Sequence, residues 1–426
     1  MRISFPRADR GEFCQGFSDK LLVDSIDGDS MSFQFTSKKS AFKLTALLAC
    51  MIAVSASPAS ACPFCSAPSL TLSEQLAGAQ SAVLVKWASG KEADKDAGFI
   101  GSTTYEVVNI VRDESKTLKV GSPLTLERYR TAKPGELFLI LGSVNQGEVE
   151  WSSPLEVTET SFKYIVEAPA KDAPAVTRLA YYLKFFENSD SLVANDAYAE
   201  FANAQYEDIV LLSSQMPREK LRQWLVDPEI SPTRIGLYGL MLGLSGKPED
   251  APFLKAKILE ETDAFRLGID GVMGGYLLLT GSSGLKVLEE AKLTNPDVPF
   301  SETFAAMQSL RFMWQYAKGR IPPEELRGAL RLLLKRPNLA DLVIVDLARW
   351  DDWSVMDRLM TMYDNEDYQV PSVKRAIVRF MLIADKSEKG DSADIPPHVK
   401  KARENLVLLR EKDPKTVKSA ERFFFD

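Results

Sequence analysis

Two periods of apolar residues divide this chain. From about Ser81 to Glu167 the apolar positions fall in short, β-branched runs, SAVLVKW, STTYEVVNIV, SPLTLERYR, ELFLILGSV, EVEW and SFKYIVEA. Runs of this length predict half-buried strands. Gly90, Gly98, Gly101, Gly121-Ser122-Pro123, Lys133-Pro134-Gly135 and Asn145-Gln146-Gly147 supply the turns between them. Closely spaced short strands predict a small antiparallel barrel or sandwich. The alternation is imperfect: Thr103, Tyr105, Val107 and Asn109 stand on one side, Thr104, Glu106, Val108 and Ile110 on the other. Just before this region, Ser69 to Ala79 predicts one or two helical turns.

From about Pro174 onward the period changes to 3.6. Segments such as AYAEFANAQYEDIVLLSS, SPTRIGLYGLMLGLSG, ETFAAMQSLRFMWQYAKG and VPSVKRAIVRFMLIAD carry apolar residues at i, i+3, i+4 and i+7. Pro or Gly marks most joints, so the expected architecture is an all-α helical array, an α-solenoid. The fold class is therefore α+β and multidomain. Residues 62–167 are a β-rich domain, 168–176 a linker on APAKDAPAV, and 177–426 the array.

The N-terminal pattern is different again. Lys38, Lys39 and Lys43 precede the uncharged run LTALLACMIAVSA, Leu44 to Ala56, and Pro58 then breaks it. That run is short of the roughly 20 residues a spanning helix needs. Ala59 and Ala61 place small residues at −3 and −1 of a signal-peptidase site, so cleavage is expected between Ala61 and Cys62. Residues 31–61 read as a signal peptide, and 1–30 as an extension upstream of a natural start at Met31. Lipidation of Cys62 is the alternative, with Ala59 where a lipoprotein signal usually has Leu; LLAC, ending at Cys50, is a second lipobox-like site. The expected location is the periplasm or cell exterior. No other run of apolar residues is long enough to span a membrane.

Cleavage would leave two of the four cysteines, Cys62 and Cys65, in CPFC. In an oxidising compartment they are expected to form a local disulfide. A thioredoxin-type pair follows a strand, and no strand precedes a mature Cys62. A c-type haem needs His where Ser66 stands, and a zinc site needs four ligands, whereas the single histidine is His398. A thiol-disulfide role remains the functional alternative.

Composition agrees with a folded globular protein, with 45% hydrophobic and 26% charged residues. The chain expected after cleavage, about 365 residues, is long for one core, so two or more domains are expected. A net charge of −7, with no basic cluster interleaved with aromatics, argues against nucleic acid as the partner. No cofactor is implied, no catalytic residue stands out, and the expected partner is another protein. Gly271, Gly274, Gly275, Gly281 and Gly284 lack the GK[ST] ending of a P-loop, so close helix packing and a turn explain them. Glu260-Glu261 and Glu324-Glu325 suit solvated faces or first turns. His398, after Pro396-Pro397, reads as a lone exposed histidine.

DLARWDDWSVMDRL places Trp350 and Trp353 around Asp351 and Asp352. Two readings follow: Trp packing at a joint with an Asp cap, or an aromatic, acidic patch that binds a basic partner.

Three resemblances add to this. The Cys-rich start followed by SAVLVKW, TTYEVVNIVRDESKTLKVGSPLTL and KPGELFLILGS resembles netrin-like modules, the OB-type barrel of tissue inhibitors of metalloproteinases. It implies an OB-like barrel over 62–167 and a metalloprotease-inhibitor-like role in which the amine and carbonyl of Cys62 chelate zinc; the spacing here is CPFC rather than Cys-x-Cys. SPTRIGLYGLMLGLSGKPEDAPFLKAKILEE, with Pro232, Arg234 and Gly243, and VPSVKRAIVRFMLIA, with Pro371 and Arg375, resemble HEAT repeats. The whole chain resembles exported proteins of planctomycete-type bacteria, which implies export and no particular activity. Together these readings give an exported binding or scaffolding protein.

Overall fold

The alternating segments form one antiparallel sheet of six strands: β1 Ser81–Lys91, β2 Ser102–Asp113, β3 Pro123–Leu126, β4 Leu137–Asn145, β5 Glu148–Trp151 and β6 Leu155–Val157. The order is β3-β2-β1-β4-β5, and β6 also pairs with β4. This computed structural model describes residues 62–65, 70–94, 96, 98–114, 116–145, 148–262, 264–387 and 395–422. The chain divides into two compact units, Met1–Pro58 and Ala59–Asp426, and every described residue belongs to the second. The upstream extension, the signal peptide and Ala61 lie outside the described residues.

Where a barrel or sandwich was expected, the described strands make a single sheet, and no ladder joins β3 to β5 or β6. The imperfect alternation has a cause. The register between β1 and β2 shifts three times, leaving Val108 and Val111 of β2 and Ala88 of β1 without a partner. Each bulge turns the following residues to the other face. Val83, Val85, Tyr105, Val107, Phe138 and Ile140 pack one face into a small core. Leu84 and Leu139, on the opposite face, join the core of the helices, and Val111 packs against it.

SFKYIVEA, read above as a strand, is helical. The Thr158 side chain accepts bonds from the backbone N–H groups of Thr160 and Ser161, and the Ser161 hydroxyl oxygen accepts the Thr158 N–H, a capping box. The buried residues are Ser161, Tyr164 and Ile165, spaced at i, i+3 and i+4. Period 2 and period 3.6 both fit so short an apolar run, and the cap decides.

The helices are α1 Leu72–Gly78 before the sheet, then α2 Glu159–Glu167, α3 Ala175–Tyr182, α4 Ser191–Ala202, α5 Tyr206–Val210, α6 Arg218–Trp224, α7 Pro232–Ser245, α8 Asp250–Leu259 and α9 Ile269–Thr280. They continue with α10 Ser282–Leu288, α11 Phe300–Gln315, α12 Pro323–Leu332, α13 Ala340–Arg349, α14 Met356–Asp364, α15 Pro371–Lys386, α16 Pro397–Lys412 and α17 Pro414–Arg422. Among the described residues none is long and apolar enough to cross a membrane. The glycines let α7 and α9 touch through their backbones. A Cβ on Gly239 would lie 2.6 Å from the Val272 backbone, and one on Gly275 2.0 Å from the Gly239 carbonyl oxygen. Gly281, at φ 60°, turns the chain from α9 into α10.

Other acids are buried against arginines distant in sequence. Arg218 of α6 binds Asp250, Arg266 binds Glu302 of α11, and Arg311 of α11 binds Asp346 of α13, at separations of 32, 36 and 35 residues. Burial pushes the Glu302 carboxyl up, but bonds from Arg266 and Lys292 outweigh it and hold the group below its ordinary range. Glu260-Glu261 and Glu324-Glu325 are exposed, as expected.

Candidate functional site

The sheet and the helices meet at a cleft of about 380 Å³. Leu72, Ser73, Leu76 and Ala77 of α1, Val111 and Arg112 of β2, and Tyr164, Ile165 and Val166 of α2 line it, with Tyr182 and Asp196 below and Ala168, Pro169, Ala170 and Lys171 at the rim. Local sequence rules put each wall in place. Thr71 and Glu74 form a capping box that starts α1. The last bulge of β2 frees Val111 from pairing. The expected linker at 168–176 is an irregular run up to Pro174 that borders the cleft, after which α3 begins at Ala175.

Asp196 is the chemical centre. It is 7% exposed, yet it is among the residues that line the cleft. One oxygen accepts the Leu72 backbone N–H at 2.6 Å, and the other accepts the Tyr164 hydroxyl at 2.6 Å. Leu72 is the first residue of α1, so the acid also faces the positive end of a helix. Burial nonetheless pushes the Asp196 carboxyl up to about 6; its two hydrogen bonds oppose the rise, and Glu200 and Glu74 add to it. The group is ionised at neutral pH and becomes neutral in mild acid.

One turn along α4, Glu200 is also buried; it accepts the Ser73 hydroxyl at 2.5 Å and faces Arg178 at 3.6 Å. Burial and the adjacent Asp196 carboxylate raise the Tyr164 hydroxyl far above its ordinary range. Burial likewise raises Tyr181, to about 12. These phenols therefore stay protonated and act as hydrogen-bond donors. Sequence reasoning passed over Asp196 and Glu200. The signal was there in SLVANDAYAEFA: two acids at i and i+4 in a helix otherwise made largely of small and aromatic residues.

The residues singled out from the sequence lie elsewhere. Cys62 and Cys65 are disulfide-bonded, with sulfurs 2.01 Å apart. Their loop is packed into the fold: Cys62 and Phe64 are buried, and the Phe64 and Phe312 ring centroids stand 4.8 Å apart. A Cβ on Gly274 would lie 2.6 Å from the Phe64 ring, so this glycine makes the socket. Cys62 N donates to Ala202 O at 3.2 Å and Cys62 O accepts Cys65 N at 3.3 Å, so neither faces outward as zinc chelation would require. Cys65, half-buried, borders a groove of about 450 Å³ that also holds Phe265, Phe300 and Phe304.

The patch of Trp350, Asp351, Asp352 and Trp353 is taken up inside the fold. Trp350 is buried and stacks on Trp314 at 4.4 Å. Asp352 is buried and binds Arg331 at 2.6 and 2.9 Å, rather than capping a helix with its side chain. Trp353, half-buried, packs on Phe380 and stacks on His398. Only Asp351 is exposed, in the left-handed region at φ 54°. His398 is half-buried rather than exposed, and its Nε2 meets the Ser387 hydroxyl at 2.8 Å. Among the described residues no group of three or more His, Cys, Asp or Glu is arranged to hold a metal ion.

No protein-family model and no curated protein matches the chain. Among solved structures, human deoxyhypusine hydroxylase in complex with glycerol matches at 16% identity with a TM-score of 0.25, over 58% of this chain and 83% of that one.

Proposed function

We propose that this chain is an exported binding protein, an OB-like sheet joined to a HEAT-like array, and that the cleft at their joint holds a short apolar peptide by its two ends. Three arginine–acid pairs, each joining residues 32 to 36 positions apart along the chain, support the repeat reading. The observation that carries the binding reading is Asp196, a buried acid among the residues that line a cleft. An ammonium group is the partner such a carboxylate binds best. Leu76, Val111, Ile165 and Pro169 offer apolar contact, and Lys171 at the rim suits a carboxylate, whereas Arg112 is paired with Glu114 at 2.6 Å. The volume lies near the lower end of ligand sites, which selects a dipeptide-sized segment.

Calorimetric titration at pH 7.5 with the dipeptide Leu-Leu tests this. The dipeptide binds, and both Nα-acetylation of the peptide and Asp196→Asn weaken binding by about tenfold or more, the value of a charge-assisted hydrogen bond. Equal affinity for the free and acetylated peptides, or no binding to a variant-free folded protein, contradicts the reading.

A further inference from the structure

The groove beside the disulfide combines exposed aromatic rings with a carboxylate. Phe265, in the loop between α8 and α9, is 72% exposed, and Phe300, the first residue of α11, is 47% exposed. Phe300 stacks on Phe304, one turn along the same helix, with ring centroids 5.8 Å apart and planes 15° from parallel. Leu267 extends this apolar surface, and neighbouring apolar side chains left in water mark a place that binds something. Asp270, the second residue of α9, is half-buried and is among the residues that line the groove. It accepts the Gly271 N–H at 2.9 Å, and among the described residues no cation pairs with it. Burial pushes its carboxyl up, and only backbone N–H groups, its own and that of Gly271, oppose the rise. Arg266 also lines the groove, but its guanidinium is committed elsewhere: it binds Glu302 at 2.8 and 2.5 Å and donates to the carbonyls of Lys257 and Ile258.

We propose that this groove is a second ligand site, for an organic cation of the trimethylammonium type, with Asp270 as counter-charge and Phe265, Phe300 and Phe304 as the aromatic surround. The charge selects a cation, since the acid in the groove has no cationic partner among the described residues. The walls select the kind of cation. A primary ammonium carries three donors and needs an acceptor for each, whereas the lining here is mainly apolar. A quaternary ammonium donates no hydrogen bond and is attracted to aromatic faces. A groove of about 450 Å³ has room for such an ion. The site is built from the loop before α9, from α9 itself and from α11, so it is independent of the dipeptide cleft at Asp196.

The test is calorimetric titration of the full chain at neutral pH with choline and with its uncharged isostere, in which a tert-butyl group replaces the trimethylammonium. Choline binds, and the isostere binds at least about tenfold more weakly, having lost both the ion pair and the cation–π contacts. Asp270→Asn weakens choline by about fivefold or more, the value of a charge pair near water. Phe265→Ala weakens it about two- to five-fold, the range of an exposed cation–π contact, and leaves the circular dichroism of the chain unchanged because the ring is largely in solvent. Absence of choline binding, equal affinity for the isostere, or an Asp270→Asn variant that binds like wild type overturns the proposal. Ethanolamine bound as tightly as choline overturns the quaternary class. A choline affinity that falls in Asp196→Asn but not in Asp270→Asn places the ion in the other cleft, and a dimer in sedimentation that Phe265→Ala disperses gives the groove to a second copy; either result overturns the proposal.

Discussion

Asp196 has to remain charged for the proposed ligand in surroundings that favour its neutral form, and that conflict is measurable. Its carboxyl titrates near 6 in the folded chain, against about 4 in an unfolded one. Between these values the folded state binds more protons, so this group makes stability fall as pH rises from 4 to 6, and its effect is flat above. A shift of about two units corresponds to about 3 kcal/mol. Urea unfolding of wild type and Asp196→Asn across pH 4 to 7 isolates the effect, because the lowered acids Asp190, Asp250, Glu302 and Asp413 act with the opposite sign in both proteins. The difference between the two curves grows with pH toward 6 in favour of the variant; parallel curves contradict the buried-acid account. For the same reason dipeptide affinity drops as pH falls below 6.

At the scale of elements, the ladder of buried ion pairs fixes how successive helices meet. Arg311 holds Asp346, which is 2% exposed, whereas Arg349 reaches the same acid from a largely exposed position. Arg311→Ala leaves a buried charge short of its principal partner and costs about 3 to 5 kcal/mol. Arg349→Ala costs about 1 kcal/mol or less, the range of exposed pairs. Equal losses in thermal unfolding would show that the ladder is decorative. Much of this level was legible. The change of period marked where strands give way to helices, and the one or two helical turns expected over Ser69 to Ala79 are α1. The ladder was not legible, because partners over 30 residues apart leave no local pattern. The helix α2 was misread because so short an apolar run fits either period until the cap at Thr158 is weighed.

The sheet and the array share one core at the scale of the molecule. Leu84 and Leu139 from the sheet, Cys62 and Phe64 from the disulfide loop, and helix residues as far as Ala420 form a single buried cluster. The change of period suggested separable domains, since each strand and helix has a polar and an apolar side of its own; which apolar side faces which partner is not written locally. The fragment 177–426 would expose the Phe64 socket and the surface under the sheet. We expect it to melt well below the 62–426 chain or to lack a cooperative transition by circular dichroism, and a fragment that melts like the longer chain contradicts the shared core. The cleft itself depends on this union, because α1, β2 and the rim come from one part and Asp196 from the other.

The most direct test of that joint is the titration of the Asp196 side-chain carboxyl, followed by its carbon-13 shift with and without saturating Leu-Leu. The free protein should titrate near 6, and the bound peptide should move the midpoint downward, as a bound ammonium favours the carboxylate. A free midpoint near 4, or one that the peptide leaves in place, would contradict the account.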